Sequence, residues 1–374
     1  MNLIHFFTLG FRPNYLIEGL IIGIVIAIYA FFRLSSLFSY YNMSKKNSLI
    51  LRVLISIFII ICSCNVQSTA TILIAYLFGV SIVVDIFGTV YKLISGKWLK
   101  IHKNGLLVAV LFILIVAFSV YGLNDIQQTD YNITTDKTNE SYTILYISDL
   151  HYDTIQNPNL LKENIAKMND IHPDIIVLGG DIADERTSKE SMKEAFKELG
   201  KLNSSYGTYF VYGNHDEQPN ERDYIDGTKP YTNNELISAI EDNGIVILED
   251  SKVKINNDLI LIGRDDAGHG NTNQREDVKD LLKTSDLSKF IIVLDHQPLD
   301  EVNNSKLGCD LQIAGHTHGG QIFPYGLVTD IQGKANYGVY SFGEMKEIVS
   351  SGFCGWGIPL RNENPCEYVV IHIN

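Results

Sequence analysis

Residues 105–122 run for eighteen positions without one charged side chain, and that run restricts what the first third of the chain can become. Hydrocarbon offers no water to unpaired backbone groups, so an apolar stretch of this length crosses a bilayer core of about 30 Å as a helix. Three more stretches behave alike: 15–32 carries only Glu18, 49–66 only Arg52, and 69–91 only Asp85. A transmembrane domain of about four helices is expected over 1–122. Arg52 lies near an end and can snorkel, whereas Glu18 and Asp85 either line a polar pathway or sit near an interface or a neighbouring helix.

Charge divides the chain at the same place. Residues 1–122 hold nine Lys and Arg against two acids, and the remaining 252 hold 21 against 41. Short basic loops stay in the cytoplasm, which puts Arg33, Lys45 and Lys46 inside, together with Lys92, Lys97, Lys100 and Lys103. The segment around Asn65 to Ser68 is uncharged and the first basic residue after Gly122 is Lys137, so the acidic part is expected outside the cytoplasm of a multi-pass cell-membrane protein. No short apolar region precedes a small-residue cleavage site, which disfavours a cleaved signal peptide. An acidic part without a Lys/Arg cluster repels phosphate backbones, so no nucleic-acid partner is expected. Cys62 and Cys64 fall within a span. In an oxidising compartment Cys354 and Cys366 can bridge, with Cys309 left over, and no cysteines have zinc-finger spacing.

Residues 123–141 are polar and aperiodic and read as a linker. From 142 onward one arrangement repeats. The apolar strand 142–148 stops at Asp149-Leu150-His151, the strand 175–178 at Gly179-Gly180-Asp181-Ile182-Ala183-Asp184, and the strand 208–212 at Gly213-Asn214-His215-Asp216. Helical stretches at 160–169 and about 188–201 separate them. In an open α/β sheet such strand ends converge on one edge, where ligands bind. The second half reads as strands 245–248, 252–255, 259–263 and 290–294, the last ending in Asp295-His296-Gln297-Pro298, with a short helix closing over 281–285. Residues 321–325 and 366–373 are expected to finish a second sheet. His269, in a loop rich in Gly, Asp and Asn, is either a substrate-loop residue or solvent-exposed.

Strand 311–314 delivers Gly315-His316-Thr317-His318-Gly319-Gly320-Gln321. On an extended backbone residues i and i+2 project to one side, so both imidazoles can reach one metal centre; the same spacing joins Asp149 and His151.

In order, Asp-x-His, Gly-Asp-x-x-Asp, Gly-Asn-His-Asp, a later His and Gly-His-x-His resemble the signature of the calcineurin-like metallophosphoesterase superfamily, over about 142–374. The run His-Gly-Gly-Gln followed by Phe323-Pro324-Tyr325-Gly326 resembles its bacterial exported or membrane-tethered branch. The resemblance implies an α/β fold, a four-layer α-β-β-α sandwich of two mixed sheets, here preceded by the four-helix bundle. It implies two metal ions, one on Asp149, His151 and His318, the other on Asn214, His296 and His316, with Asp181 shared. The mixed oxygen and nitrogen donors suit Mn, Fe or Zn. A water shared by two such ions is acidified enough to attack phosphorus. His215 corresponds to the family's catalytic imidazole, protonating the leaving oxygen or contacting the phosphoryl group, and Asp184 to the acid that orients it. Asp184 can instead cap the following helix, and Asp216 is either a turn residue or a partner of the site.

The expected function is a membrane-anchored phosphoesterase acting on a phosphodiester or pyrophosphate, with a lipid-linked or envelope substrate. Ser/Thr protein phosphatases of the superfamily place Arg after the last Asp of the second motif, where this chain has Glu185, which disfavours phosphoproteins. Alternatives are a hydrolase of the UDP-2,3-diacylglucosamine type, which the outward topology disfavours, and a non-catalytic metal-binding scaffold or sensor. The segments 217–233 and 264–275 are the expected specificity loops.

Overall fold

A computed structural model describes residues 15–66, 68–98, 105–268 and 275–374. The chain divides into two units, one up to Ser119 and one from Val120. His269, Lys100 and Lys103 lie outside the described residues.

The first unit contains helices α1 (Leu16–Tyr40), α2 (Lys45–Ser63), α3 (Thr69–Ser95) and most of α4 (Leu106–Asn124). All four are long and apolar enough to cross a membrane, and most of their large side chains face outward, as lipid-facing helices require. Asp85 does not stand alone in this apolar setting. Arg33 Nε donates to its Oδ1 at 2.9 Å and Tyr29 OH to its Oδ2 at 2.7 Å, so both carboxylate oxygens find donors on α1. Of the two readings of Asp85, the structure shows the contact with a neighbouring helix.

In the second unit, elements follow as β1 (Ile126–Ile133), β2 (Tyr142–Ile147), α5 (Asn159–Asp170), β3 (Ile175–Leu178), α6 (Lys189–Leu199), β4 (Thr208–Phe210), α7 (Asn233–Glu241), β5 (Ile245–Ile247), β6 (Ser251–Ile255) and β7 (Leu259–Gly263). There follow α8 (Val278–Leu282), β8 (Phe290–Leu294), α9 (Glu301–Lys306), β9 (Leu311–Ala314), α10 (Tyr325–Ile331), β10 (Gly338–Phe342), β11 (Met345–Val349) and β12 (Cys366–Ile373). One six-stranded sheet runs β1-β12-β2-β3-β4-β5 and the other β10-β11-β9-β8-β7-β6. Both are mixed: β2 to β5 and β7, β8, β9, β11 are parallel, while β12 runs against β2 and β6 against β7.

Side-chain alternation builds the layers. On β2, Ile144 and Tyr146 enter a core between the sheets with Val177, Leu261, Ile292 and Ile313. Their neighbours Leu145 and Ile147 face the other way, onto Leu161, Met192 and Phe196 of the covering helices. On the second sheet Ile260, Ile262, Ile291 and Val293 pack on Val278 and Leu282 of α8. The result is the expected α-β-β-α sandwich. Parallel strands buried on both faces read as continuous apolar runs, which is why β2, β3 and β8 are legible in the sequence.

Two expectations change. Residues 126–133, read as linker, form an edge strand paired in parallel with β12. Its polarity reflects the edge position: only Ile133 is buried, so no apolar periodicity marks it. Residues 366–373 belong to the first sheet, between β1 and β2, while 321–325 form no strand. The second sheet is finished by β10 and β11 instead, and the short helix closes at 278–282 rather than 281–285.

Candidate metal centre

The polar clusters of Asp149, Asp181, His296 and His316 follow the C-terminal ends of β2, β3, β8 and β9, neighbouring parallel strands of the two sheets. The backbone does not stay extended there. Asp149, His151, Asp181, His316 and His318 have φ of 53°, 39°, 53°, 68° and 50°. Left-handed backbone is costly for residues with a Cβ and collects at functional sites, where the surroundings enforce it. The i, i+2 alternation expected of Asp149/His151 and His316/His318 is therefore replaced by tight turns, and His316 and His318 enter different groups.

Two groups form: Asp149, His151 and His318, and Asp181, His296 and His316, in each of which the donor atoms lie within 4.8 Å of one another. Asp181 joins them, its Oδ2 being 3.2 Å from His296 Nε2 and 3.7 Å from His151 Nε2. Asp149 Oδ1 lies 3.6 Å from His318 Nε2. The His316 N–H donates to the Asp149 carboxylate at 3.1 Å, a second link between the groups.

The donors suit cations. His151 Nε2, His296 Nε2 and Asn214 Oδ1 are buried without a hydrogen-bond partner, a costly state that a metal ion removes. Asn214 is flanked by residues that touch Asp181: His215 N donates to Asp181 Oδ1 at 2.8 Å. His296 Nδ1 faces the Gly179 carbonyl at 2.8 Å and His318 Nδ1 the Cys354 carbonyl at 3.1 Å, which places the ring protons there and leaves each Nε2 as a donor. Burial opposes ionisation of Asp149 and Asp181, yet the surrounding imidazoles outweigh it and hold both below the usual carboxylate range. Burial, and then its neighbour His296, lowers His316 to about 4, and burial lowers His318 to about 3, so both rings stay neutral as ligation requires.

The expected role of Asp184 changes. The carboxylate on His215 Nδ1 is that of Glu185, at 2.7 Å, and its other oxygen accepts from Asn220 Nδ2 at 2.7 Å. Asp184 lies instead 3.3 Å from His151 Nδ1, an ion-pair distance off the line of a hydrogen bond, and accepts from Arg186 Nη2 at 2.7 Å. Neighbouring residues on this turn thus serve two imidazoles, His151 and His215. Nor does Asp184 cap the next helix, whose N-cap is Ser188. Burial alone would lower His215, but Asp181 and Glu185 more than reverse it and raise the ring to about 9. Asp216 is more than a turn residue. Its carboxylate accepts from the backbone N–H groups of Asp181 at 2.7 Å, Ile182 at 2.9 Å and Gly213 at 2.8 Å, fastening two site loops together.

Sequence reasoning missed the contribution of segment 350–365. Arg361 is fully buried and donates to the carbonyls of Asn364 and Cys354, both at 2.7 Å, and of His318 at 3.0 Å. The Cys354 carbonyl is the one that receives the His318 ring proton, and the Cys354 N–H donates to Asp149 O at 3.0 Å. One guanidinium therefore fixes both the backbone and the ring of His318. Gln321 in turn holds Trp356, its Oε1 accepting from the Trp356 backbone N–H at 2.9 Å, and the Trp356 indole stacks on His215 with centroids 5.2 Å apart. A lone arginine after the apolar run Gly357-Ile358-Pro359-Leu360 was the available signal. Cys354 and Cys366 are free, buried thiols, not a bridge.

Comparison with known proteins adds a second line. Residues 142–320 match the family described as Calcineurin-like phosphoesterase. The chain is similar to an uncharacterized metallophosphoesterase of Campylobacter jejuni, 31% identical over 62% of this chain and 58% of that protein. It is similar to one of Bacillus subtilis, 30% identical over 59% of this chain and 75% of that one. A transmembrane protein with metallophosphoesterase domain from Danio rerio is 27% identical over 67% of this chain and 58% of its own length. The chain thus spans about three fifths of the Campylobacter protein and of a Helicobacter pylori relative, of which it covers 62%.

Proposed function

Because this chain belongs to the calcineurin-like phosphoesterase family, we propose that it is a membrane-anchored, two-metal phosphoesterase whose active face lies outside the cytoplasm. The observation that carries the reading is the pair of donor groups joined through one oxygen of Asp181, with buried imidazole nitrogens and the Asn214 amide oxygen left for a cation. Asp149, His151 and His318 would hold one ion, Asn214, His296 and His316 the other, and Asp181 both. Manganese, iron and zinc each fit these donors. Bound there, metal ions would supply Lewis acidity, acidifying water for attack on phosphorus and drawing charge from phosphoryl oxygens.

The chain's own residues do the rest. His215, its Nδ1 proton engaged by Glu185, presents Nε2 to the leaving oxygen as proton donor. Trp356 covers the ring of His215 and limits its rotation. Asp184 orients His151, and Asp216 sets the turn that aims Asp181. A phosphodiester or pyrophosphate in the membrane or envelope is the proposed substrate, since tethering raises its effective concentration at the site.

The test is hydrolysis of an aryl phosphodiester by the detergent-solubilised full chain, with and without Mn²⁺, beside Asp181→Asn. A fragment starting near residue 140 is unsuitable because it lacks β1. Metal-dependent turnover lost in the variant supports the reading; a folded, metal-loaded chain without turnover favours the non-catalytic scaffold.

A further inference from the structure

From residue 142 onward, eleven large apolar side chains are exposed among the described residues, and six of them fall within 323–339. Phe323 is 54% exposed, Tyr325 67% and Ile331 76%, with Leu327, Val328 and Val339 beside them in sequence. An apolar concentration of this kind on a folded surface marks an interaction site.

The segment is not loose. The Glu363 carboxylate accepts from the N–H groups of Gly326 at 2.8 Å and Leu327 at 2.9 Å, and Asn362 Oδ1 from Phe323 N at 2.9 Å. It also abuts the metal loop: a Cβ on Gly320 would fall 2.3 Å from Gly326 N, so only glycine permits the approach. Phe323 begins five residues after His318. The backbone is therefore fixed beside the candidate centre while the apolar side chains remain uncovered.

We propose that 323–331 is a membrane-docking rim that inserts into the bilayer surface and presents the metal centre to phosphoesters carried in the lipid phase. Three observations select a bilayer as the occupant. The chain has four membrane-length helices, and only Asp125 separates the last of them from β1 of the phosphoesterase unit. Phe323 and Tyr325 supply aromatic rings of the kind that settle at headgroup depth, beside aliphatic side chains. Asp330 is the one charged residue in 323–331, so docking rests on apolar insertion rather than on attraction to anionic lipid. Docking itself needs no catalysis; its consequence for substrate access rests on the phosphoesterase reading.

The experiment reconstitutes the full chain in phosphatidylcholine vesicles containing an acyl-chain diazirine lipid, irradiates, and maps adducts by mass spectrometry. Adducts on 323–331, besides those on the helices, are expected, and they persist at high salt and without anionic lipid. Adducts confined to the helices would overturn the proposal, whether or not the protein hydrolyses anything. In a second arm, the triple variant Phe323→Ser, Tyr325→Ser, Ile331→Ser loses those adducts. It also loses about tenfold in turnover of a vesicle-borne phosphodiester, while a water-soluble aryl phosphodiester changes less than about twofold. Equal losses on both substrates would overturn the link to substrate access.

Discussion

The two donor groups are built from the same residue types but supported differently. The second group, Asp181, His296 and His316, is held by neighbouring strand ends: His296 by the Gly179 carbonyl, and Asp181 by backbone that Asp216 gathers. The first group, Asp149, His151 and His318, leans on side chains and on a distant segment, with Asp184 behind His151, and Cys354 and Arg361 behind His318. Adjoining strand ends, fastened by Asp216, assemble one group, while the other depends also on the chain returning through 350–365. Metal affinity of the first group should therefore be separable from that of the second by changes that touch no donor atom.

The largest effect should erase the difference between the groups. Asp181→Asn removes the charge that both groups share, and turnover should fall roughly 10³-fold, with both ions bound more weakly. Next, Arg361→Met removes a charged donor from the carbonyls of His318, Cys354 and Asn364, the first keeping the Gln321 N–H and the second the His318 ring N–H. Stability should drop by roughly 3 kcal/mol or more, read as a lower melting temperature, and one ion should be lost in preference to the other. Loss of both ions together at equal affinity would show that the groups are not separately supported.

Asp184→Asn and Glu185→Gln sharpen the comparison from neighbouring positions on one turn. The first should weaken metal binding by about 10- to 100-fold through His151. The second should leave metal content intact and lower turnover by about 10²-fold through His215. The reverse pattern would return His215 to Asp184.

These residues also show what a sequence discloses. Donor residues were legible because each ends an apolar strand with a polar cluster, and the strands themselves because burial on both faces makes them continuous apolar runs. Their supports were not. Glu185 and Asp184 are adjacent in sequence, and only the local backbone path decides which carboxylate meets which ring. Arg361 reaches the centre across 43 residues to His318, a contact without periodic or local signature. The edge strand β1 was hidden for the opposite reason: it buries almost nothing, so its composition is that of a linker.

One further effect, a pH dependence of stability with no expected change in metal content, lies away from the centre and serves as a control on it. Glu347 on β11 is fully buried, receiving Gln312 Nε2 at 2.9 Å, and burial, then Glu301 and Asp295, push its carboxyl up to about 8. Its folded pKa stands above the ordinary 4.5, so the unfolded chain releases this proton first as pH rises. Stability should decline by up to about 1.4 kcal/mol per pH unit between those values and level off above about 8. Glu347→Gln should flatten this slope in melting curves without altering metal content. An unchanged slope would mean that Glu347 is ionised in the folded chain.

The most direct measurement is elemental analysis of metal bound per chain, on full-length protein loaded and freed of excess ion, with Arg361→Met prepared in parallel and shown to be folded. Two independently supported groups require about two ions in the unaltered chain and about one in the variant. One ion or none in the unaltered chain, or the same content in both proteins, would contradict that division.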